Sequence, residues 1–389
     1  MSIYLIYALL TAKSVRKMEK YKILIFNWRD PKHPNAGGAE KATHEIAKRW
    51  IQHGHGVHLV CGNYHGGSRF DNIDGMQVTR LGGRYSIYPL AALHYLRRLR
   101  GKYDVIIDEI NTVPFFTPFY AKKPKVVFIH QLAAEVLFEE LPFVQAKFWS
   151  VLEPHILRMY RDMPIVTSQS TRNDLVRIGI PESRIHVINY GVDHNLYMPT
   201  GKKNLNPHVL FIGRLRRFKG VHYLIRAMKR AVKEIPNVKL SIIGKGDLEY
   251  ENYLKKLTKD LNLAEHITFY EFGFRESLER KIEIMQDAWL LAFPSIREGF
   301  GLAVVEANAC GTPAVATDVP GLRDTVRNNE TGILVPPKDV DALAKAMVEV
   351  LTNDELRVSL SKKCLKHSKL FDWDKTADQM LLLLKRVVR

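Results

Sequence analysis

Short runs rich in Val, Ile and Leu alternate with amphipathic stretches along the whole chain, the pattern of parallel sheets covered by helices. In the first half KILIFNW, VHLVC, DVIID, KVVFI and PIVTS read as strands, separated by helical patterns such as AEKATHEIAKRWIQHG, which closes at Gly54. The pattern restarts after VINYGVDHNLYMPTGKKNLNP, a stretch rich in Pro, Gly and Asn that has no apolar period and reads as an interdomain linker. Beyond it HVLFIG, VKLSIIG, ITFY, WLLAF, PAVAT and GILV read as strands of a second sheet, and FDWDKTADQMLLLLKRVVR as a closing helix. The predicted fold class is α/β: two Rossmann-like, doubly wound parallel-sheet domains facing a cleft. The first is expected over 18–200 and the second over 201–370, with a helix at 371–389 packing across the junction.

Length and composition agree with that division. A chain of 389 residues suggests two or three domains at roughly 100 to 200 residues each. Lysine and arginine number 58 against 41 acids, a formal charge of +17 that implies an acidic partner: nucleotide phosphates, anionic lipid or nucleic acid. Three scattered cysteines form no CxxC pair, so a disulfide framework or structural zinc is not expected and a reducing, cytoplasmic compartment is. The apolar start IYLIYALL is far shorter than the ~20 residues of a membrane span. Residues 1–17 read as an upstream extension, because MEKYKILIFNW from Met18 begins as a core strand would.

In open α/β sheets ligands bind beyond the carboxyl ends of the strands, so the residues just after each strand matter most. After ILIFNW come Gly37 and Gly38 at a helix N-terminus, after VIID comes Glu109, and after VVFI comes His130. In the second domain Arg214 and Lys219 share the strand-to-helix loop GRLRRFKG, where an arginine fork and a lysine point charge can grip a diphosphate. A solvated basic loop is the plainer alternative. In REGFGLAVVEA, Gly301 and Leu302 open a helix whose N–H groups can meet a phosphate oxygen. Glu298 precedes that turn and Glu306 lies one helical turn beyond Leu302, on the same face. Carboxylates suit hydroxyl pairs, so a ligand with a diphosphate between two polyols, a nucleotide-sugar, would satisfy the whole loop. Taken singly, either glutamate reads equally well as a loop or helix-surface charge.

GRLRRFKG, the Glu298 to Glu306 spacing within FPSIREGFGLAVVEANACGTPAVATDVPG, and NNETGILVPP resemble the retaining glycosyltransferases of family 4, which have the GT-B fold. HPNAGGAEKATHEIAKRWIQHGHGVHLV, FIHQL, SQSTRNDL and VINYGVD extend the resemblance over the first domain. The resemblance implies that Arg214 and Lys219 neutralise the leaving diphosphate, Glu306 holds the ribose and Glu298 a donor-sugar hydroxyl. Gly301 and Leu302 would supply backbone donors, and His130 would sit near the anomeric centre. Gly38 would let the backbone approach the phosphates or the acceptor; Gly37, Gly244, Gly299 and Phe300 complete the donor-binding set. Glu109 is assigned to the acceptor side from its strand-end position, although Asp108 and Glu109 can also cap the next segment. No cofactor is expected: the nucleotide-sugar, UDP- or GDP-linked, is a substrate, and the acceptor is a sugar, lipid-linked or polyol hydroxyl. Base selection is assigned to the neighbourhood of GKGD and EFGF.

Other features carry less. HGHGVH spans a helix end and a strand start, so its histidines should diverge rather than bind metal. The two DxD patterns, at Asp339 and Asp372, begin helices and read as caps, so no metal site is predicted. YSIYPLAALHYLRRLRGKY reads either as a sheet-covering helix or as a peripheral contact with anionic membrane on the cytoplasmic face. Rival functions are another GT-B activity, such as a sugar phosphorylase or nucleotide-sugar epimerase, and a basic nucleic-acid-binding protein. No nucleic-acid motif is present, and no nucleic-acid partner is expected.

Overall fold

The computed structural model describes residues 19–160, 164–270 and 278–388. The upstream extension at 1–17, the proposed start at Met18 and the 271–274 stretch EFGF lie outside these. The chain forms two sheets. The first contains β1 (Lys22–Phe26), β2 (Gly56–Gly62), β3 (Phe70–Ile73), β4 (Met76–Leu81), β5 (Val105–Ile110), β6 (Lys125–Ile129), β7 (Pro164–Val166) and β8 (His186–Val187), in the order β3-β4-β2-β1-β5-β6-β7-β8. The second contains β9 (His208–Ile212), β10 (Lys239–Ile243), β11 (Ile267–Tyr270), β12 (Leu290–Phe293), β13 (Ala314–Thr317) and β14 (Gly332–Val335), in the order β11-β10-β9-β12-β13-β14. All pairings are parallel except β3 with β4.

Sheets buried on both faces need apolar residues at every position, not at alternate ones. The central strands meet that demand, since β9 is buried at all five positions and β1 at its last four. The covering helices use one face each. In order they include α1 (Gly38–Gln52), α2 (Ile87–His94), α3 (Phe143–Met159), α4 (Gln169–Arg177), α5 (Val221–Glu234), α6 (Leu302–Ala309) and α7 (Trp373–Val388). On α5 the buried positions Val221, Leu224, Ile225 and Met228 keep the helical period.

Three differences from the sequence reading have physical causes. The hairpin β3–β4 escaped notice because its strands are short and mixed in polarity. Its turn signal was nevertheless present, since Asp74 and Gly75 adopt φ of 51° and 88°, the left-handed pair a tight hairpin requires. Glu109 lies within β5 rather than after it. The linker stretch is partly core, with Tyr190, Val192 and Tyr197 buried and Val192 bridged to Asp372.

The closing helix α7 returns to the first domain and lies against α1. There the Trp50 indole donates to the Ala377 carbonyl at 2.9 Å and Arg49 pairs with Asp374 at 2.5 Å. Segment 85–103 covers the sheet with one face. Ile87, Ala91, Tyr95 and Leu99 face the sheet, while Leu90, Leu93 and Leu96 stay exposed beside Arg97 and Arg98. Among the described residues no helix is long and apolar enough to cross a membrane.

Candidate active site

Strand order locates the site. In the first sheet the chain runs outward from β1 through β2 to β4, then reverses to β5; in the second it runs from β9 to β11, then reverses to β12. A crevice opens at each reversal, beyond the carboxyl ends of the strands. Asn27, Glu109 and His130 come from the first, and Arg214 and the Pro294–Leu302 loop from the second.

The two crevices face one another. A Cβ on Gly37 would lie 3.6 Å from the Arg214 Nε, and one on Gly38 would lie 3.9 Å from the Leu302 side chain. A Cβ on Gly299 would collide with the carbonyl of His130, so only glycine allows these two walls to meet there. The Thr167 hydroxyl donates to the Gly299 carbonyl at 3.1 Å across the same contact. Further ties cross the junction: Arg297 to Asp174, Arg216 to Glu140, and Asp324 to the amides of Gln169 and Ser170 at the start of α4.

Glu298 and Glu306 are both buried, which removes the surface-charge reading of either. Gly301 stands at the start of α6 with φ of 86°, a conformation that costs other residues. Glu298 pairs with Lys219, whose turn is fixed by the Ile296 amide donating to the Phe218 carbonyl at 2.8 Å. Burial pulls the Lys219 ammonium below its ordinary value, with Glu298 opposing. Glu306 pairs with Lys41 from α1 of the first domain, and with Lys281 at 3.3 Å. Burial alone would raise the Glu306 carboxyl, but Lys281 and Lys41 outweigh it and hold the group down at about 2. Arg214 forms no ion pair among the described residues, which leaves its fork available at the cleft.

His130 is buried with both ring nitrogens engaged. Nε2 lies 3.1 Å from Glu109 Oε2, and Nδ1 faces the Tyr190 hydroxyl. An ionised carboxylate only accepts, so Nε2 carries the proton and Nδ1 accepts from tyrosine. Glu109 Oε2 also accepts from Asn27 at 2.5 Å and from Thr43 at 2.6 Å. Glu109, which the sequence reading assigned to the acceptor side, is thus hydrogen-bonded to His130. Its neighbour Asp108 caps the following segment, accepting from the amides of Phe115 and Thr117 and from the Tyr160 hydroxyl. Phe300 packs edge-on to Tyr190, at 5.2 Å between rings, and so supports the turn from below. Gly244 lies against the Gly213 carbonyl, where it lets the loops after β9 and β10 run side by side.

The sequence reading missed Lys41, Lys281, Tyr190, Asn27 and Thr43. Lys41 had a signal, because it stands one turn into the helix that opens at the predicted Gly37–Gly38 turn. The histidines of HGHGVH diverge: His55 Nδ1 accepts from the Tyr21 amide at 3.0 Å, while His58 bonds Thr79 at 2.8 Å. Asp339 accepts from the amides of Asp341 and Ala342, and Asp372 from those of Asp374 and Lys375. Among the described residues no group of three or more His, Cys, Asp or Glu is arranged to hold a metal ion.

Two family models divide the chain between them. "Glycosyltransferase Family 4" matches residues 36–196 and "Glycosyl transferases group 1" matches residues 198–367. The chain belongs to the group 1 glycosyltransferases. A D-inositol 3-phosphate glycosyltransferase of Mycobacteroides abscessus is 31% identical over 240 residues, covering 58% of this chain and 52% of that one. The corresponding enzyme of Corynebacterium urealyticum is 33% identical over 181 residues, covering 45% and 42%. The chain thus spans about half the length of these curated relatives. A glycosyltransferase of Methanocaldococcus jannaschii is 26% identical over 94% of this chain and 98% of that one.

The solved structures agree on the fold. Sucrose-phosphate synthase from Thermosynechococcus elongatus superposes with a TM-score of 0.79 at 22% identity, over 94% of this chain and 99% of that one. Anabaena HepE, in complex with UDP and glucose, superposes with a TM-score of 0.74 at 20% identity, over 94% and 99%. This group 1 glycosyltransferase is a GT-B protein, with two parallel-sheet α/β domains about one cleft.

Proposed function

We propose that the chain transfers a sugar from a nucleotide-sugar donor, UDP- or GDP-linked, to a hydroxyl acceptor with retention of anomeric configuration. The observation that carries this reading is the convergence of Arg214, Lys219, the α6 N-terminus and two buried glutamates on one crevice. Arg214, Lys219 and the α6 amides stabilise the charge that grows on the departing diphosphate. Lysine has three donors, so Lys219 can keep Glu298 while it meets a phosphate oxygen. Glu298 accepts from a donor-sugar hydroxyl, and ionised Glu306 accepts from the ribose. The anomeric carbon–oxygen bond breaks, the acceptor oxygen bonds to the same face, and its proton passes to the departing phosphate. Positioning and leaving-group stabilisation supply the acceleration, and no divalent metal takes part.

The acceptor is a hydroxyl of a sugar, lipid-linked or polyol molecule in glycan, glycolipid or polysaccharide synthesis; D-inositol 3-phosphate, named in the relatives, is one such polyol. A thermal-shift screen across UDP-, GDP- and ADP-sugars tests donor choice, since a selective ligand raises apparent stability. Lys219→Ala should lower turnover by about 10²-fold or more, and Glu306→Ala should weaken donor binding; wild-type activity in both would end the assignment. Exposed Leu90, Leu93 and Leu96 beside Arg97 and Arg98 support peripheral docking on anionic lipid. Flotation with anionic liposomes at low salt checks that contact, and failure to float would remove it.

A further inference from the structure

Two lysines share one buried carboxylate where the domains meet. Lys41 reaches Glu306 Oε1 from the first domain, and Lys281, on the helix Leu278–Asp287 of the second, lies 3.3 Å from Oε2. Burial opposes the charge on both ammoniums, but Glu306 and then Tyr197 outweigh it and hold each lysine above its ordinary value. Two positive charges therefore stand against one negative charge. One ammonium suffices to balance one carboxylate, so the other can leave without stranding a buried charge.

Position distinguishes the two lysines. Lys41 stands one turn into α1 and Glu306 one turn into α6, and the two helices begin close together, since a Cβ on Gly38 would lie 3.9 Å from the Leu302 side chain. The pair thus sits about 5.4 Å, one helical turn, behind the N-termini that face the diphosphate. In a nucleotide the ribose stands next to the diphosphate, so Lys41 covers the carboxylate oxygen that a ribose hydroxyl would take. Lys41 also has a second partner. Its ammonium donates to the Tyr197 hydroxyl at 3.1 Å and lies 4.9 Å from the centre of that ring. Tyr197 is buried in the stretch that links the domains; burial and then Glu306 raise its phenol against Lys281 and Lys41, so it stays protonated and its oxygen accepts. On its flexible stem the ammonium can give up Oε1 and keep Tyr197. Lys281 has no such alternative, because among the described residues it hydrogen-bonds Glu306 alone.

We propose that Lys41 is an internal competitor of the donor ribose: the ribose hydroxyls displace it from Glu306, Lys281 keeps the carboxylate balanced, and Lys41 is retained by Tyr197. The inference rests on the reading of Glu306 as the ribose partner. Lys41 then sets donor affinity without touching the donor, and donor arrival exchanges a direct tie between the domains for one made to the linker.

Calorimetric titration with UDP and GDP, beside their 2′,3′-dideoxy counterparts, tests this. The ratio of the two affinities isolates the ribose hydroxyls from any effect of a lysine on the phosphates. In Lys41→Met the preference for the full ribose should rise by about tenfold, as release of Glu306 from one charge-assisted partner requires. In Lys281→Met it should fall, because displacing Lys41 would then leave the buried carboxylate without a counter-charge. Lys41→Gln, which keeps hydrogen bonding but not the charge, should raise the preference less, and it decides the matter if the methionine variant does not fold. An unchanged preference in the Lys41 variants would make Lys41 a structural tie, and a lowered one would make it a ribose ligand; either result overturns the exchange. If neither nucleotide binds the wild-type protein, the donor reading itself fails and the exchange falls with it.

Discussion

On the second-domain wall each buried glutamate faces a lysine from its own domain: Glu298 faces Lys219, and Glu306 faces Lys281. On the first-domain wall the buried Glu109 instead collects donors from Asn27, Thr43 and His130 on one oxygen. The two arrangements suit different work. A carboxylate balanced by a lysine on its long stem can exchange that partner for ligand hydroxyls. A carboxylate saturated by short side chains cannot move, and it fixes the tautomer and orientation of the histidine above it. One wall is built to bind and the other to hold.

Lys41 blurs that division, because it reaches from the first domain to Glu306 and also meets the Tyr197 hydroxyl at 3.1 Å. Its replacement by methionine is expected to have the largest effect on stability, up to about 3 kcal/mol at pH 7, since Lys281 still faces the carboxylate. The sign with pH comes from the carboxyl held at about 2, below its ordinary value. Its contribution is complete above about pH 5 and is lost as pH falls toward 2. Urea midpoints should therefore separate wild type from Lys41→Met at pH 7 and converge in acid. No difference at pH 7 would mean that Lys281 balances Glu306 alone and that the second wall is self-contained.

Glu109→Gln probes the other wall. The amide keeps the volume and can still accept from Asn27 and Thr43, but it no longer specifies which nitrogen of His130 carries the proton. Turnover should fall by about tenfold, with donor affinity nearly unchanged, if His130 acts through its orientation. A rise in the donor KM with turnover intact would place Glu109 among the donor-binding residues instead.

The same contrast explains how much of the site was legible in the sequence. Arg214 with Lys219, and Glu298 with Glu306, each lie within one loop-and-helix segment, so their spacing alone brings them together. The partners on the first wall are far apart in the chain. Asn27 and Thr43 stand 82 and 66 residues from Glu109, and Tyr190 stands 60 residues from His130. Sheet order sets Asn27, Glu109 and His130 side by side, through the adjacency of β1, β5 and β6, and periodicity does not encode that order. The central parallel strands were legible because their apolar runs are continuous; the β3–β4 hairpin was not, because its strands are short and mixed in polarity. Lys41 gave no motif of its own beyond its place one turn into α1, and its partner Glu306 stands 265 residues away on the other domain.

Tyr190→Phe is the finest cut through the holding wall. The ring packs 5.2 Å from Phe300 and 5.8 Å from Trp373, and phenylalanine keeps both contacts. Burial, then Glu109 and Glu40, push the phenol well above its ordinary value, so the hydroxyl stays protonated and donates to His130 Nδ1. Removing it leaves one buried acceptor without its donor, an expected loss of about 1 kcal/mol in stability. If Glu109 fixes the tautomer, the Nε2–H remains and turnover should fall less than in Glu109→Gln. Nitrogen NMR of the imidazole reads this directly: an unchanged Nε2–H in Tyr190→Phe, against a mixed population in Glu109→Gln, assigns the orientation to the carboxylate. The reverse result would give it to tyrosine, and the holding function would then belong to the linker between the domains.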